Sequence, residues 1–426
     1  MTKEKVQYIS KKLKSILGVQ FAHCRIETVV SWQLTGSLEL IHRRDQTLCL
    51  LIPTFNRTYF LERLLRYLTK VGFPHPIIIA DSSSASASEA NRRVATSLRQ
   101  GLDIHYASYS PETYPFSKIA HALDTIESKY SVMCADDDFI VPRAVEQCVR
   151  FLEANPDYAV AHGRTMSVYP VQVSHGISRL WTYCLPQRTI ASDDASIRLR
   201  EHLLSYRATF YSVHRRADLM RNMEITSKVT QDYRFAELLS SCLSLVQGKL
   251  SYLDSLYVVR PHNPTPESVE NPDWSTLVTS SGFSQRYTEF RGCLAMELAR
   301  IAGISITEAN DVVNHAFVGY LTQALYEVYG GSVNKAKFSV LERAARRVWR
   351  AAGLLRAAAN TVILDGQFIT MARAPREFAR LVSVERSYSA KRGYMSVDKL
   401  LDAGSPFHAD FVPIYEHMKQ NSARTW

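Results

Sequence analysis

Three carboxylates in a row, Asp136-Asp137-Asp138, follow the apolar run Ser131-Val132-Met133-Cys134-Ala135. Adjacent negative charges repel one another, and a buried strand has no need of them where it ends. They point to a cation at that position, most simply a divalent metal carrying a diphosphate. In an extended chain, residues two apart face the same way. Asp136 and Asp138 could therefore meet one ion while Asp137 points elsewhere. Hard cations such as Mg²⁺ or Mn²⁺ prefer carboxylates plus substrate phosphate oxygens, at about 2.0–2.2 Å. The plainer reading is a solvated acidic turn ahead of the helix that Pro142 starts.

The surrounding pattern says what positions these groups. Leu48-Cys49-Leu50-Leu51-Ile52 is a continuous apolar run, as a strand buried on both faces of a parallel sheet requires. Pro53-Thr54-Phe55-Asn56-Arg57 breaks it, and Phe60, Leu61, Leu64, Leu65 and Leu68 then recur at helical spacing. Ile77-Ile78-Ile79-Ala80 predicts a second strand, closed by Asp81-Ser82-Ser83-Ser84. Further strands are expected at Ile104–Tyr106, Tyr130–Ala135 and Tyr158–His162, with helices between them. This alternation predicts an α/β fold: an open, mostly parallel sheet with helices on both faces. Ligands of such sheets bind beyond the carboxyl ends of the strands, where Arg57, Asp81 and the triplet all fall.

Residues 1–46 read as a helical appendage, with five lysines around Val6, Ile9, Leu13 and Leu17. Residues 47–272 carry the α/β pattern. Residues 164–230 look irregular and rich in Tyr, Ser and Arg, as an acceptor-binding region would be. From 273 to 426 the pattern turns mainly helical, with Lys337, Arg343, Arg346, Arg347 and Arg350 crowding one segment.

With 46% hydrophobic and 22% charged residues in 426, the composition is that of a soluble globular chain. No apolar run approaches the roughly 18 residues of a membrane helix. The polar Met1-Thr2-Lys3-Glu4-Lys5 lacks the core of a signal peptide. Seven scattered cysteines read as reduced core residues. These features predict a cytoplasmic protein. The formal charge of +10 favours anionic partners: nucleotides, lipid-linked phosphates, acidic glycans, or peripheral contact with an anionic membrane surface. No zinc-finger spacing or RNA-binding aromatic signature appears, so no nucleic acid is expected.

Taken together, three segments resemble the family-2-like bacterial group of GT-A fold glycosyltransferases. They are Leu51-Ile52-Pro53-Thr54-Phe55-Asn56-Arg57, Asp81-Ser82-Ser83, and Tyr130 through Pro142, whose Asp136-Asp137-Asp138 resembles the DDD form of that group's metal motif. Asp232-Tyr233-Arg234-Phe235-Ala236-Glu237 resembles its later acidic segment. The resemblance covers roughly residues 47–265 and implies a GT-A, Rossmann-like domain followed by a helical one. It further implies that Pro53, Thr54 and Arg57 border the nucleotide base and phosphate. Asp81 would bond the base or ribose, and Lys118 would help hold the nucleotide or its phosphates. Asp136 would approach the ribose or the metal, with Asp137 beside it in the nucleotide-binding set. Asp138 would coordinate the metal, and His262 would add a metal or phosphate contact. Read alone, a loop histidine such as His262 is more often a plain surface residue.

The implied activity is transfer of a sugar from a nucleotide-sugar donor to a glycan, lipid-linked or other hydroxyl acceptor, in bacterial surface polysaccharide assembly. Mn²⁺ or Mg²⁺ would stabilise the leaving diphosphate. An inverting transfer needs a carboxylate to take the acceptor's proton. Asp232 is the candidate base, though it is also suited to cap its helix; Glu237, one turn on, is the other candidate. The group's usual acidic pair followed by Arg or His and Trp has no clean copy here, which leaves the base open. Two other readings compete. A sugar-nucleotide pyrophosphorylase needs a Gly-rich loop after its first strand, and none is present. A non-catalytic nucleotide- or glycan-binding protein would show affinity without turnover.

Overall fold

The structure, a computed structural model, describes residues 41–171, 179–184, 188–262, 273–326, 362–364, 367–369 and 394–420. The expected helix around Val6–Leu17 and the basic segment Lys337–Arg350 lie outside those residues.

Four parallel strands form one half of the sheet, in the order β3 (Ile104–Ser108), β2 (Ile77–Asp81), β1 (Ile41–Thr54), β4 (Ile126–Met133). Leu50 pairs with Ile77 on one side and Val132 on the other. The run Leu48–Ile52 is fully buried because both faces of this central strand are covered. Leu48, Leu50 and Ile52 face the helix α1 (Thr58–Lys70), whose Leu61, Leu64, Leu65 and Leu68 form its apolar stripe. Cys49 and Leu51 face the opposite layer, where α3 (Pro115–Asp124) supplies Phe116, Ile119 and Leu123. Helix α1 stops at Gly72, which adopts φ 62°. The N–H groups of Gly72 and Phe73 return to the carbonyls of Thr69 and Leu68, a left-handed C-terminal cap that glycine permits. The helix α2 (Ala85–Leu98) links β2 to β3.

Beyond β4 the sheet becomes mixed. After the two-residue β5 (Phe139–Ile140), Pro142 opens α4 (Pro142–Ala154) at its first position, as expected. Then β6 (Tyr158–Val171) pairs antiparallel with β7 (Arg179–Cys184) and β8 (Val213–Arg215), and parallel with β9 (Lys249–Pro261). The fold class is the α/β one expected, with ten strands in this sheet. Its parallel character is confined to β3-β2-β1-β4 and the β6–β9 pair. The stretch that looked irregular instead supplies β7, α5 (Ala195–Leu204), β8 and α6 (Arg216–Val229).

A second core joins α5 to α7 (Tyr233–Gln247), α8 (Trp274–Val278), α9 (Phe283–Ala302) and α10 (Ile306–Tyr326). Phe235, Trp274, Phe290 and Phe317 meet at its centre, with ring centroids 5.4–6.0 Å apart where they touch Phe235. The region past residue 273 is mainly helical, as expected, and one apolar cluster runs across that position. Among the described residues no helix is long and apolar enough to cross a membrane. Cys49, Cys134, Cys148, Cys242 and Cys293 are buried and free of disulfides.

The chain then returns to the first half. The strand β12 (Tyr394–Ser396), numbered after the isolated hairpin β10 (Val362–Leu364) and β11 (Gln367–Ile369), pairs with β7. The short α11 (Val397–Leu401) leads to α12 (His408–Gln420), whose Phe411, Ile414 and Met418 enter the core beside Leu61, Leu64 and Phe139. Arg143 and Lys70 pair with its Asp410 and Glu416, at 2.7 and 3.1 Å. Phe411→Ala is expected to cost about 3–5 kcal/mol of stability in urea denaturation, the cost of removing a fully buried ring. A loss below about 1 kcal/mol would mean that the last helix is not part of that core.

Candidate functional site

The carboxyl ends of β1, β2 and β4 lie side by side, so their following loops share one edge. Two of these loops are tied by Asn56, which turns the chain with φ 55°, a conformation Asn tolerates better than most residues. Its N–H donates to Ser83 Oγ at 2.7 Å, and its side-chain oxygen accepts from the N–H of Ser84 at 2.9 Å. Behind them Asp81 is fully buried. It accepts from the Ser83 N–H at 2.7 Å, from Asn91 at 2.9 Å, and from the Tyr106 hydroxyl. The structure thus places Asp81 behind the edge, organising the loop. Lys118, buried on α3, donates to Ser82 Oγ at 2.8 Å and to the Thr54 carbonyl at 3.2 Å. Burial pulls its pKa down to about 8, against the pull of Asp81 and Asp136.

The triplet sits at the centre of this edge. Asp138 N–H closes a turn onto the Ala135 carbonyl at 3.1 Å. Asp136 is 2% exposed; Thr54 Oγ1 donates to one of its oxygens at 2.7 Å, and Arg57 meets the other at 3.0 Å. Arg57 also bonds Asp137, so a single guanidinium spans two carboxylates. Asp138 is 6% exposed and pairs with Arg260 at 3.0 Å. Burial pushes Asp136 up to about 7 and Asp138 up to about 6, even though Arg57 and Arg260 oppose the shift. Desolvation therefore outweighs the arginines at both carboxyls.

Two residues absent from the sequence reading hold the triplet in place. Arg63 is buried on α1, between the rings of Phe60 and Phe139 at 5.1 and 4.9 Å, and donates to the Asp137 carbonyl at 2.6 Å. His417 of α12 donates from Nε2 to the Arg63 carbonyl at 3.0 Å and packs its ring on Phe139. Arg260 is the third residue missed, brought alongside by pairing of β5 with β9, which sets Phe139 opposite Val259. The clue in the sequence was a lone arginine closing an apolar strand, too common a pattern to single out.

A cavity of about 270 Å³ opens beside the triplet, lined by Asp138, Arg260, Arg207, Tyr211, Tyr233 and Glu237 among others. Glu237 is half-buried; its Oε1 accepts from the Tyr206 hydroxyl at 3.2 Å, and burial raises its pKa. His162 also lines the cavity, with Tyr252 and Tyr257 against its ring. Burial lowers its pKa to about 4, so it stands neutral at pH 7. Asp232 lies elsewhere. It caps α7, accepting from the Phe235 N–H at 3.1 Å, and pairs with Arg286 at 3.4 Å. His262 is exposed just past β9, its N–H on the Val168 carbonyl at 2.7 Å. Pro53 and Thr54 end β1 next to Phe55, which is 44% exposed.

The residues present fit a hard divalent cation. The donors are carboxylate oxygens, and those of Asp136 and Asp138 are desolvated. Among the described residues no cluster of three or more His, Cys, Asp or Glu side chains is arranged to hold a metal alone. One or two carboxylates completed by substrate phosphates is the usual way Mg²⁺ is bound.

No protein-family model matches the chain, and no curated protein matches it. Among solved structures it is similar to S. aureus TarS 1–349, at 14% identity and TM-score 0.41, over 73% of this chain and 80% of that one. It is also similar to the mannosyltransferase PcManGT from Pyrobaculum calidifontis in complex with GDP-Man and Mn²⁺, at 12% identity and TM-score 0.37, over 83% and 87%. A third is glucosyl-3-phosphoglycerate synthase from Mycobacterium tuberculosis, at 13% identity and TM-score 0.30, over 61% and 81%. The likeness is distant, and no residue role is carried across from it.

Asp136 and Asp138 hold protons more tightly in the fold than in the unfolded chain. Their contribution to stability is therefore fullest below about pH 4 and is lost as pH rises through about 6 and about 7. A divalent cation competes with those protons. Its stabilising effect is expected to grow from pH 5.5 to pH 8, read as the shift in melting temperature with 1 mM (on the order of a typical millimolar dose) Mn²⁺. An equal shift at both pH values, or an undiminished one in Asp138→Asn, would remove the triplet as the metal site.

Proposed function

We propose that the protein is a metal-dependent glycosyltransferase that moves a sugar from a nucleotide-sugar donor to a hydroxyl acceptor. The observation that carries this reading is Asp138 and Glu237 lining one cavity, a buried carboxyl paired with Arg260 on one wall and a half-buried acid on the other. Asp136 and Asp138 would hold the metal, which when bound neutralises charge on the departing diphosphate. Arg57 and Arg260 add fixed positive charge beside it. The exposed face of Phe55, at the end of β1, suits a nucleotide base.

Glu237 is the base in this reading. It takes the proton of the acceptor hydroxyl as that oxygen bonds to the anomeric carbon and the bond from that carbon to the diphosphate oxygen breaks. Its burial favours this work, because a carboxylate whose pKa is raised is better matched to accepting a proton near neutral pH. Tyr206 orients it through the hydroxyl at 3.2 Å. Asp232 keeps a structural role as cap and ion-pair partner of Arg286. Attack on one face of the sugar while the diphosphate leaves from the other corresponds to inversion.

The test is release of nucleoside diphosphate from a panel of nucleotide sugars with Mn²⁺. Glu237→Gln is expected to lower kcat by about 10²–10⁴-fold with little change in donor KM. Asp232→Asn is expected to cost at most about 1 kcal/mol of stability and to leave kcat within a few-fold. Full activity in Glu237→Gln would transfer the base to another group. Donor affinity with no turnover on any acceptor would make the protein a binding module.

A further inference from the structure

Glu237 stands at a seam between two cavities. The hydroxyl of Tyr206 that holds its carboxylate belongs to the lining of a second cavity, of about 410 Å³, formed by Tyr206, Arg207, Arg234, Trp274, Tyr320 and Gln323 among others. Arg207 lines both spaces. The first is lined by Asp138 and Arg260; the second shares Tyr206 and Arg207 with the site built above.

The second cavity is made of two kinds of group. Three aromatic residues form an ordered wall: Trp274 Nε1 donates to the Tyr320 hydroxyl at 2.9 Å, and Tyr320 meets Tyr206 edge-on at 5.3 Å. Such faces suit the apolar side of a sugar ring. Arg207 and Arg234 supply guanidinium groups, whose planar forks match phosphate and carboxylate. Arg207 is braced by a bond from Nη1 to its neighbour's carbonyl, that of Tyr206, at 2.8 Å. Arg234 lies close enough to pull the pKa of both Glu237 and Tyr320 downward. The one acid in the wall, Asp273, is engaged in capping α8, accepting from the Thr276 N–H at 2.8 Å and the Ser275 hydroxyl at 2.6 Å. Both arginines line the same cavity as the aromatic wall.

We propose that this second cavity is the acceptor chamber and that Arg207 and Arg234 select an acceptor sugar bearing an anionic group, phosphate or carboxylate. The assignment rests on the reading of Glu237 as base, since it places the acceptor hydroxyl between that carboxylate and the donor cavity. Arg207 and Arg234 bind the acceptor's oxyanion, and the aromatic wall takes its ring.

The experiment uses the full chain and saturation-transfer NMR with three probes: glucose, glucose 6-phosphate and glucuronic acid, each with inorganic phosphate as competitor. Both anionic sugars are expected to bind at least about five-fold more tightly than glucose, a difference of about 1 kcal/mol. Arg234→Gln is expected to lose that preference, and Arg234→Lys, which keeps the charge, to retain most of it. A circular dichroism melt checks that each variant folds. Equal binding of glucose and glucose 6-phosphate, or an unchanged preference in Arg234→Gln, would overturn the assignment. So would inorganic phosphate binding as tightly as glucose 6-phosphate, because the cavity would then recognise no sugar. Failure of nucleotide-sugar turnover would instead strike the proposed reaction, and charge-selective sugar binding that persisted without it would stand as a separate site.

Discussion

Two buried carboxylates and a third that is partly exposed need positive charge around them, and the fold supplies it from four separate places. Arg57 comes from the loop after β1, Arg63 from α1, Arg260 from the end of β9, and Lys118 from α3. Removing one partner of such a cluster would leave an uncompensated buried charge, a loss typically of about 3–5 kcal/mol. Even complete, the set leaves Asp136 and Asp138 with pKa values raised to about 7 and about 6. A chain selected for stability alone would replace such a cluster with apolar side chains. Here the cluster stands at the edge where parallel strands end.

That requirement accounts for features otherwise hard to explain. The two-residue β5 exists to bind the chain just after the triplet to β9, and so to fix Arg260 against Asp138. The close approach of β6 to β9 needs Gly163, where a Cβ would lie 2.6 Å from the Ser255 carbonyl. On the other side, Tyr67 donates to the Ile140 carbonyl at 3.2 Å, while Arg63 holds the Asp137 carbonyl. His417 braces Arg63 in turn. Helix α12 thereby reaches the triplet through one intermediate residue, from nearly three hundred positions further along the chain.

The parallel half was legible because its signals are local. A run of five apolar residues, a leucine stripe at helical spacing, and Pro142 at the start of α4 each depend on neighbours within a few positions. Asp136 and Asp138 were legible for the same reason, since charge crowding is visible in three consecutive letters. Arg63, Arg260 and His417 were not. Each looks ordinary in its own segment, and only tertiary contact with residues 74 to 354 positions away gives it a role. The part of β6 beyond His162 and all of β7 were hidden because their tyrosines, serines and arginines do not form a continuous apolar run. Asp232 and Glu237 differ in a way the sequence does not express. Both carboxylates lie near the start of α7, one capping its first turn and the other, one turn on, facing the cavity.

The position of Glu237 follows from helix geometry. Asp232 fixes where α7 begins, and five residues later the backbone has made somewhat more than one turn, since α-helices complete one every 3.6 residues. The apolar face set by Phe235, Leu238 and Leu239 is committed to the second core. Glu237, between those positions, is turned away from that core toward β9 and the triplet. The capping carboxylate and the cavity carboxylate are therefore linked: Asp232 sets the register of the helix, and that register directs Glu237 to the seam between the two cavities. A shift of one residue in where the helix starts would bring Glu237 round by about 100° and replace it at the seam with an apolar neighbour. The two acids that look alike in the sequence thus hold different places in the fold, one at the cap of the helix and one on the cavity wall.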